Sequence, residues 1–318
     1  MTPHMTPLKI GYLLPTRDQA VSGDHDSRQL IDQARRAEAL GFDSVWAGDS
    51  PVTRPRADPL LLLGAVAAAT RRVTLGTAVL LPALRHPILL AHQLATLDRL
   101  ADGRLIVGMG GGFPNANTEA QFTAVGVAFA RRIGRLEESI EAMRRLWTGE
   151  EVSYTGHHFD FQHVKLAPAP TRPQGPEIWL PGDGAAALRR VARLADGWLP
   201  YPPSVQNYAR DLAVIQQSAA RTPTPALYAT LCLDEDPERA RGRLRTSIER
   251  YYNAPLEAVE TIQALFAGTA HEAAEWLSAY AGAGAHHVVI RLAAENHHAG
   301  LEEFADLVMP LIRTEGHL

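Results

Sequence analysis

The sequence predicts a single-domain (β/α)8 TIM barrel across residues 1–318. Three observations lead there. Short β-type apolar runs alternate with helix-period runs about eight times, which suits a parallel sheet built from βα units. The middle of the chain, Val73 to Gly112, reads as strand, proline-started helix, Asp102-Gly103 turn and second strand, and such a βαβ unit needs parallel strands. The length fits one closed barrel with insertions. A doubly wound open sheet would want a dinucleotide fingerprint early in the chain, and Gly108-Met-Gly-Gly-Gly112 is not G-x-G-x-x-G.

Each element has a local reason. Lys9 to Leu14 is a first strand, stopped by Pro15, and a polar loop is expected as far as Asp26. Leu30, Ile31, Ala34, Ala37 and Leu40 recur at helical spacing, with Gly41 at the C-cap. Asp43 to Ser50 is a second strand with a polar end. Asp58-Pro59 caps an Ala/Leu-rich helix to Ala69, and Pro87 starts the helix that runs to Leu100. Residues 113–130 are irregular and expected to be a long loop. Arg131 to Trp147 is a helix, and residues 150–176 form a second insertion with a hairpin at Thr155-Gly156. The rhythm then resumes with strands at Glu177–Leu180, Gly197–Leu199, Ala226–Leu233 and His287–Leu292. Helices at 185–194, 204–220, 236–251, 269–281 and 301–312 lie between and after them, the fourth opened by a Thr269/Glu272 capping box.

A net charge of −4 and 21% charged residues give no basic stripe for nucleic acid. Cys232 is the only cysteine, so neither an internal disulfide nor a cysteine-rich metal site can form. The start of the chain lacks the pattern of a signal peptide. The longest apolar run, Leu60 to Ala69, is short of the roughly 20 residues a membrane span needs. A cytoplasmic protein is expected. His157-His158, His286-His287 and His297-His298 resemble ligand pairs, but neighbouring side chains on a strand point to opposite faces, so no metal site is expected.

In a barrel, chemistry sits at the C-terminal ends of the strands. Those ends offer Leu14, Asp49 and Ser50, Ala78 and Val79, Gly110, Gly111 and Gly112, Gly182, Asp183 and Gly184, Tyr201 and Arg291. Acids and bases are few and glycines many, which suits a flat organic cofactor that carries its own chemistry. Gly182-Asp183-Gly184 joins a strand to a helix N-terminus, where free N–H groups favour a phosphate; an ordinary tight turn is the plainer alternative. His86 opens a helix near the mouth. Phe113 and Tyr201 are candidates for the substrate pocket, and Arg291 is a candidate for an anionic substrate or an internal ion pair.

With Ala39-Leu-Gly-Phe-Asp-Ser-Val-Trp-Ala-Gly-Asp49, Leu75-Gly-Thr-Ala-Val79, His86-Pro87, Gln93-Leu-Ala-Thr-Leu-Asp98, Asp102-Gly-Arg-Leu105, Leu146-Trp-Thr-Gly149 and Ala195-Asp-Gly-Trp198 in order, the chain resembles the luciferase-like monooxygenases. These are flavin- or deazaflavin-dependent TIM-barrel oxidoreductases. The resemblance implies a cis peptide at Ala78-Val79 under the cofactor ring, a phosphate at Gly182 to Gly184, and Asp49 and Ser50 beside the ring. It also implies a homodimer. Many relatives carry histidine where this chain has Ser50. The family's sugar-phosphate dehydrogenases carry an acid at Phe113, so that activity is not expected. Bacterial luciferases carry arginine at Gly111, and Arg54, Arg56, Arg131 and Arg132 are candidates to replace it. The first expectation is a monooxygenase using O2 and reduced FMN from a separate flavin reductase to oxidise a small-molecule substrate, with Asp49, Ser50 and His86 as candidate catalytic groups. The alternatives are an F420-dependent hydride-transfer enzyme, with Arg54, Arg56 or Arg85 around the cofactor tail, and a flavin-binding protein without turnover.

Overall fold

The computed structural model describes residues 7–315; the first six residues of the segment read above as lacking a signal sequence lie outside them. Eight parallel strands close a barrel. They are β1 (Lys9–Leu13), β2 (Ser44–Ala47), β3 (Thr74–Leu80), β4 (Leu105–Met109), and, after a hairpin of β5 (Glu151–Thr155) and β6 (Asp160–Lys165), β7 (Glu177–Leu180), β8 (Gly197–Trp198), β9 (Thr224–Leu233) and, after one further strand, β11 (His287–Leu292). The barrel order is β11-β1-β2-β3-β4-β7-β8-β9, closed by the pairing of β9 with β11. The hairpin is antiparallel and stands apart as its own two-stranded sheet.

The further strand is β10 (Ala264–Gly268), which pairs in parallel with the second half of β9, Ala264 opposite Ala229. β8 pairs only with the start of β9, through Gly197 and Trp198, so the rest of that edge is open to β10. The sequence reading did not find this strand. Ala264-Leu-Phe-Ala-Gly268 has no β-branched residue, so its pairing comes from the exposed edge of β9 and not from propensity.

The caps read from the sequence are present. Asp58 accepts from the Leu60 and Leu61 N–H groups, Asp236 from those of Glu238 and Arg239, and Thr269 and Glu272 form the reciprocal capping box. Two segments expected as loops contain helix instead: α1 (Thr16–Val21) and a helix at Ala116–Ala124. The second is capped by the Asn115 side chain, which accepts from the Thr118 N–H. Its buried face consists of Thr118, Gln121 and Phe122, so two of the three inward groups are polar and the apolar period is hidden.

The floor of the barrel is filled by Trp46 and Trp179, with ring centroids 5.4 Å apart and the His287 ring edge-on to both. A Cβ on Gly76 would stand 2.1 Å from Trp46, and one on Gly197 2.4 Å from Trp179, so both indoles need glycine on the neighbouring strand. The floor is therefore packed and the usable space is at the other end.

Candidate active site

A cavity of about 1040 Å³ opens at the C-terminal ends of the strands. Asp49, Ser50, Ala78, Val79, Gly110 to Phe113, Gly182 to Gly184 and Tyr201 all line it, so most of the predicted site converges. The Ala78-Val79 peptide is cis, at the inner end of this space.

Three predicted residues lie elsewhere. The buried Leu14 belongs to the apolar core and is not in the lining. His86 is exposed; its Nδ1 accepts the Ile88 N–H at 3.3 Å to cap the helix Pro87–Leu100, and its ring stands edge-on to Phe159. It stands at the N-cap, directly before the helix-starting Pro87. Arg291, 2% exposed, is sealed below the mouth against Asp18 and Ser247, each 2.8 Å from Nη2. The acid of its internal ion pair is Asp18.

The two polar groups at the end of β2 are held by neighbours. Asp49 accepts from Arg85 through both carboxylate oxygens, at 2.5 and 3.2 Å, and from the Leu81 N–H at 3.0 Å. Burial acts to lower the Arg85 guanidinium, but Asp49 and Asp58 outweigh it and hold it above its ordinary value. This pair ties the end of β2 to the turn after β3. Arg85 is thereby removed from the candidates for a cofactor tail. The Ser50 hydroxyl donates to Gln121 Oε1 at 2.8 Å and accepts the Arg54 N–H at 3.1 Å. The Ser50 proton is thus directed at an amide oxygen, and no hydrogen bond to a base is present at this hydroxyl among the described residues.

The protons available to a bound molecule sit on tyrosines that the sequence reading mostly missed. Tyr201, Tyr228 and Tyr252 line the cavity. Burial pushes the Tyr201 phenol up to about 12, and burial likewise raises Tyr228 and Tyr252. All three are therefore protonated at neutral pH, and Tyr228 and Tyr252 hydrogen-bond each other. Gln263 also lines the cavity, 7% exposed, and its Oε1 has no partner among the described residues. Tyr252 and Gln263 escaped notice because they flank β10, the one strand with no sequence signal.

Arginines stand on two sides. Past β4, the Arg132 stem passes 3.9 Å from where a Cβ on Gly111 would be, and Ile133 would meet that Cβ at 2.5 Å. Arg132 Nε is buried with no partner among the described residues. Past β2, Arg54 and Arg56 lie against Tyr252 and Tyr251, with guanidinium carbons 5.6 and 5.7 Å from the ring centroids. Gly182 and Gly184 both have left-handed φ values, +111° and +74°, and the helix Gly184–Leu194 starts there with its N–H groups toward the cavity. Among the described residues no three His, Cys, Asp or Glu side chains are placed to share a metal ion, and no helix is long and apolar enough to cross a membrane.

Comparisons with known proteins agree with this architecture. An F420-dependent glucose-6-phosphate dehydrogenase of Amycolatopsis mediterranei is 26% identical over 97% of this chain and all of its own length. An F420-dependent hydroxymycolic acid dehydrogenase of Mycobacterium tuberculosis is 34% identical over 62% of this chain and 56% of the relative. The crystal structure of a monooxygenase from Streptomyces bottropensis superposes with a TM-score of 0.80, at 26% identity, covering 95% of this chain and 99% of that one. The family model described as luciferase-like monooxygenase matches residues 8–309, and the chain belongs to that family of oxidoreductases.

Proposed function

We propose that this chain is an F420-dependent oxidoreductase that exchanges a hydride with a small organic substrate. The observation that carries cofactor binding is the anion-shaped side of the mouth. There the free N–H groups after Gly182 and the bare backbone at Gly110 and Gly111 line one space, with Arg132, whose guanidinium lies over the Phe129 ring, also in its lining. This fits a phosphate-bearing tricyclic cofactor. Among the four arginines considered, Arg132 is the one at Gly111, and it supplies the guanidinium that the glycine lacks. The choice of F420 draws support from the F420-dependent relatives.

When bound, the deazaflavin supplies the hydride acceptor. The chain's own part is to hold, orient and exclude water. Gly182, Gly184 and Arg132 fix the phosphate, while the cis Ala78-Val79 backbone offers a seat for the ring. Tyr201 and Tyr252, kept protonated by burial, present hydrogen-bond donors to a substrate oxygen, and Tyr228 hydrogen-bonds Tyr252 behind them. With Phe113 in place of an acid, glucose 6-phosphate is not the substrate we propose.

The second reading, an FMN monooxygenase served by a flavin reductase, is favoured by one finding, the 26% identical monooxygenase structure. Anaerobic incubation with F420 and a panel of alcohols and aldehydes separates the two. Loss of the oxidised cofactor's visible absorbance without O2 is the expected result. Binding of reduced FMN alone, with substrate turnover only when O2 is admitted, would overturn it in favour of the second reading.

A further inference from the structure

The side of the mouth past β2 carries more positive charge than its carboxylates neutralise. Arg17, Arg54 and Arg56 gather around Tyr251 and Tyr252. Arg17 Nε donates to the Tyr251 carbonyl at 2.5 Å, and Arg56 Nη1 donates to the Tyr251 hydroxyl at 3.3 Å. None of the three forms an ion pair among the described residues, and Arg17 Nη1 is buried with no partner among them. The acid beneath this wall, Asp18, is occupied by Arg291 at 2.8 Å and by Arg250 at 4.0 Å. Burial lowers the Arg17 guanidinium to about 10, and the neighbouring Arg56 adds to the shift. Three cations this close repel one another, and a structure holds them together at a cost that a bound anion would offset.

Arg56 is also placed toward the reacting end of the cavity. A Cβ on Gly48 would stand 2.1 Å from Arg56 Nη1 and 3.4 Å from the Ala78 carbonyl oxygen. The guanidinium therefore lies over bare β2 backbone, beside the cis peptide. Around the barrel, β2 and β9 are separated only by β1 and β11, whereas Gly110 follows β4 and Gly182 follows β7, on the other side of the ring of strands. The Arg54–Arg56 wall and the Gly182–Arg132 wall thus face one cavity from different sides.

We propose that this second wall is a substrate-anion subsite: Arg54 and Arg56, reinforced by Arg17, hold a carboxylate or phosphate ester on the substrate close to the reacting carbon. The guanidinium fork suits either oxyanion, and Tyr252 adds a neutral donor. The proposal rests on the reading that the glycine wall takes the cofactor; an enzyme for uncharged alcohols would have no use for the pair.

The test is calorimetric titration with benzoate, phenyl phosphate and neutral benzamide. The proteins are wild type, Arg54→Gln/Arg56→Gln, Arg132→Gln and Gly48→Ala, each checked for an unchanged melting temperature. Gly48→Ala guards against misfolding of the double variant, because it displaces the Arg56 guanidinium without removing a charge. Benzoate or phenyl phosphate should bind wild type about tenfold or more tighter than benzamide, a gap of one decade in affinity. That preference should vanish in the double variant, shrink in Gly48→Ala and persist in Arg132→Gln; which acid binds tighter separates carboxylate from phosphate. Equal binding of acid and amide, or an anion preference lost in Arg132→Gln and kept in the double variant, overturns the proposal. F420 titrated in parallel keeps the two readings apart. Failure to bind F420 with the arginine-dependent anion preference intact sinks the cofactor assignment alone. Equal loss of F420 and benzoate in the double variant sinks the subsite.

Discussion

On one side of the barrel mouth, past β4 and β7, backbone is prominent: glycines at 110–112 and at 182 and 184, a helix start, and two arginines, Arg132 and the Glu137-paired Arg190. On the other, past β2 and β9, it is side chain: Arg54, Arg56, Tyr228, Tyr251 and Tyr252. Backbone N–H groups are set by the fold and change little with sequence, so they suit a group that is always the same. Side chains can be exchanged without rebuilding the barrel, so they suit what differs between relatives. The difference teaches where to look for specificity in this chain: on the β2–β9 side.

The largest effect expected from breaking that contrast comes from beneath the arginine wall. Asp18→Asn leaves the fully buried Arg291 without its carboxylate and should cost about 3–5 kcal/mol of stability, the usual loss when one member of a buried pair is removed. The urea midpoint would show it. An unchanged midpoint would mean that Arg291 does not depend on Asp18.

A pH titration addresses the floor that carries both walls. Burial holds His287 at about 3 in the folded state, against an ordinary value near 6.5. The unfolded chain therefore takes the proton first. Stability should be level above pH 6.5 and should fall as pH drops from about 6.5 toward 3, by up to about 1.4 kcal/mol per unit. His287→Gln should flatten that limb. If the slope is the same in the variant, some other group is responsible.

Next in size is the glycine wall's own arginine. Arg132→Gln should weaken cofactor binding about tenfold, near the 1.5–3 kcal/mol of a charge-assisted hydrogen bond at its lower end. The smallest effect is expected at Ser50. In Ser50→Ala, Gln121 Oε1 keeps the Val52 N–H at 3.2 Å, so turnover should change by no more than about threefold, as for the loss of one neutral hydrogen bond. A collapse of turnover with binding intact would return Ser50 to the chemistry.

The contrast between the walls also explains what could be read from sequence. The barrel, its caps and the whole glycine wall were legible, because Asp58, Asp236, Thr269, Gly110–Gly112 and Gly182–Gly184 act through their own backbone neighbourhood. The tyrosine and arginine wall was not. Tyr251 and Tyr252 end a helix and Gln263 precedes a strand with no propensity signal, and the two tyrosines meet Arg54 and Arg56 from segments that follow different strands, β9 and β2, with β11 and β1 between them. For Asp49 and His86 the addresses were legible but not the partners: Asp49, in the cavity lining, is tied by Arg85, and His86, outside that lining, caps a helix.

The measurement that bears most directly on this division is F420 affinity by fluorescence titration, under one ionic strength, for wild type, Arg132→Gln and Arg54→Gln/Arg56→Gln. The account predicts a loss of about tenfold for Arg132→Gln, and a change of less than about twofold for the double variant. The reverse order, or equal losses in the two, would contradict it and make the arginine wall part of the cofactor site.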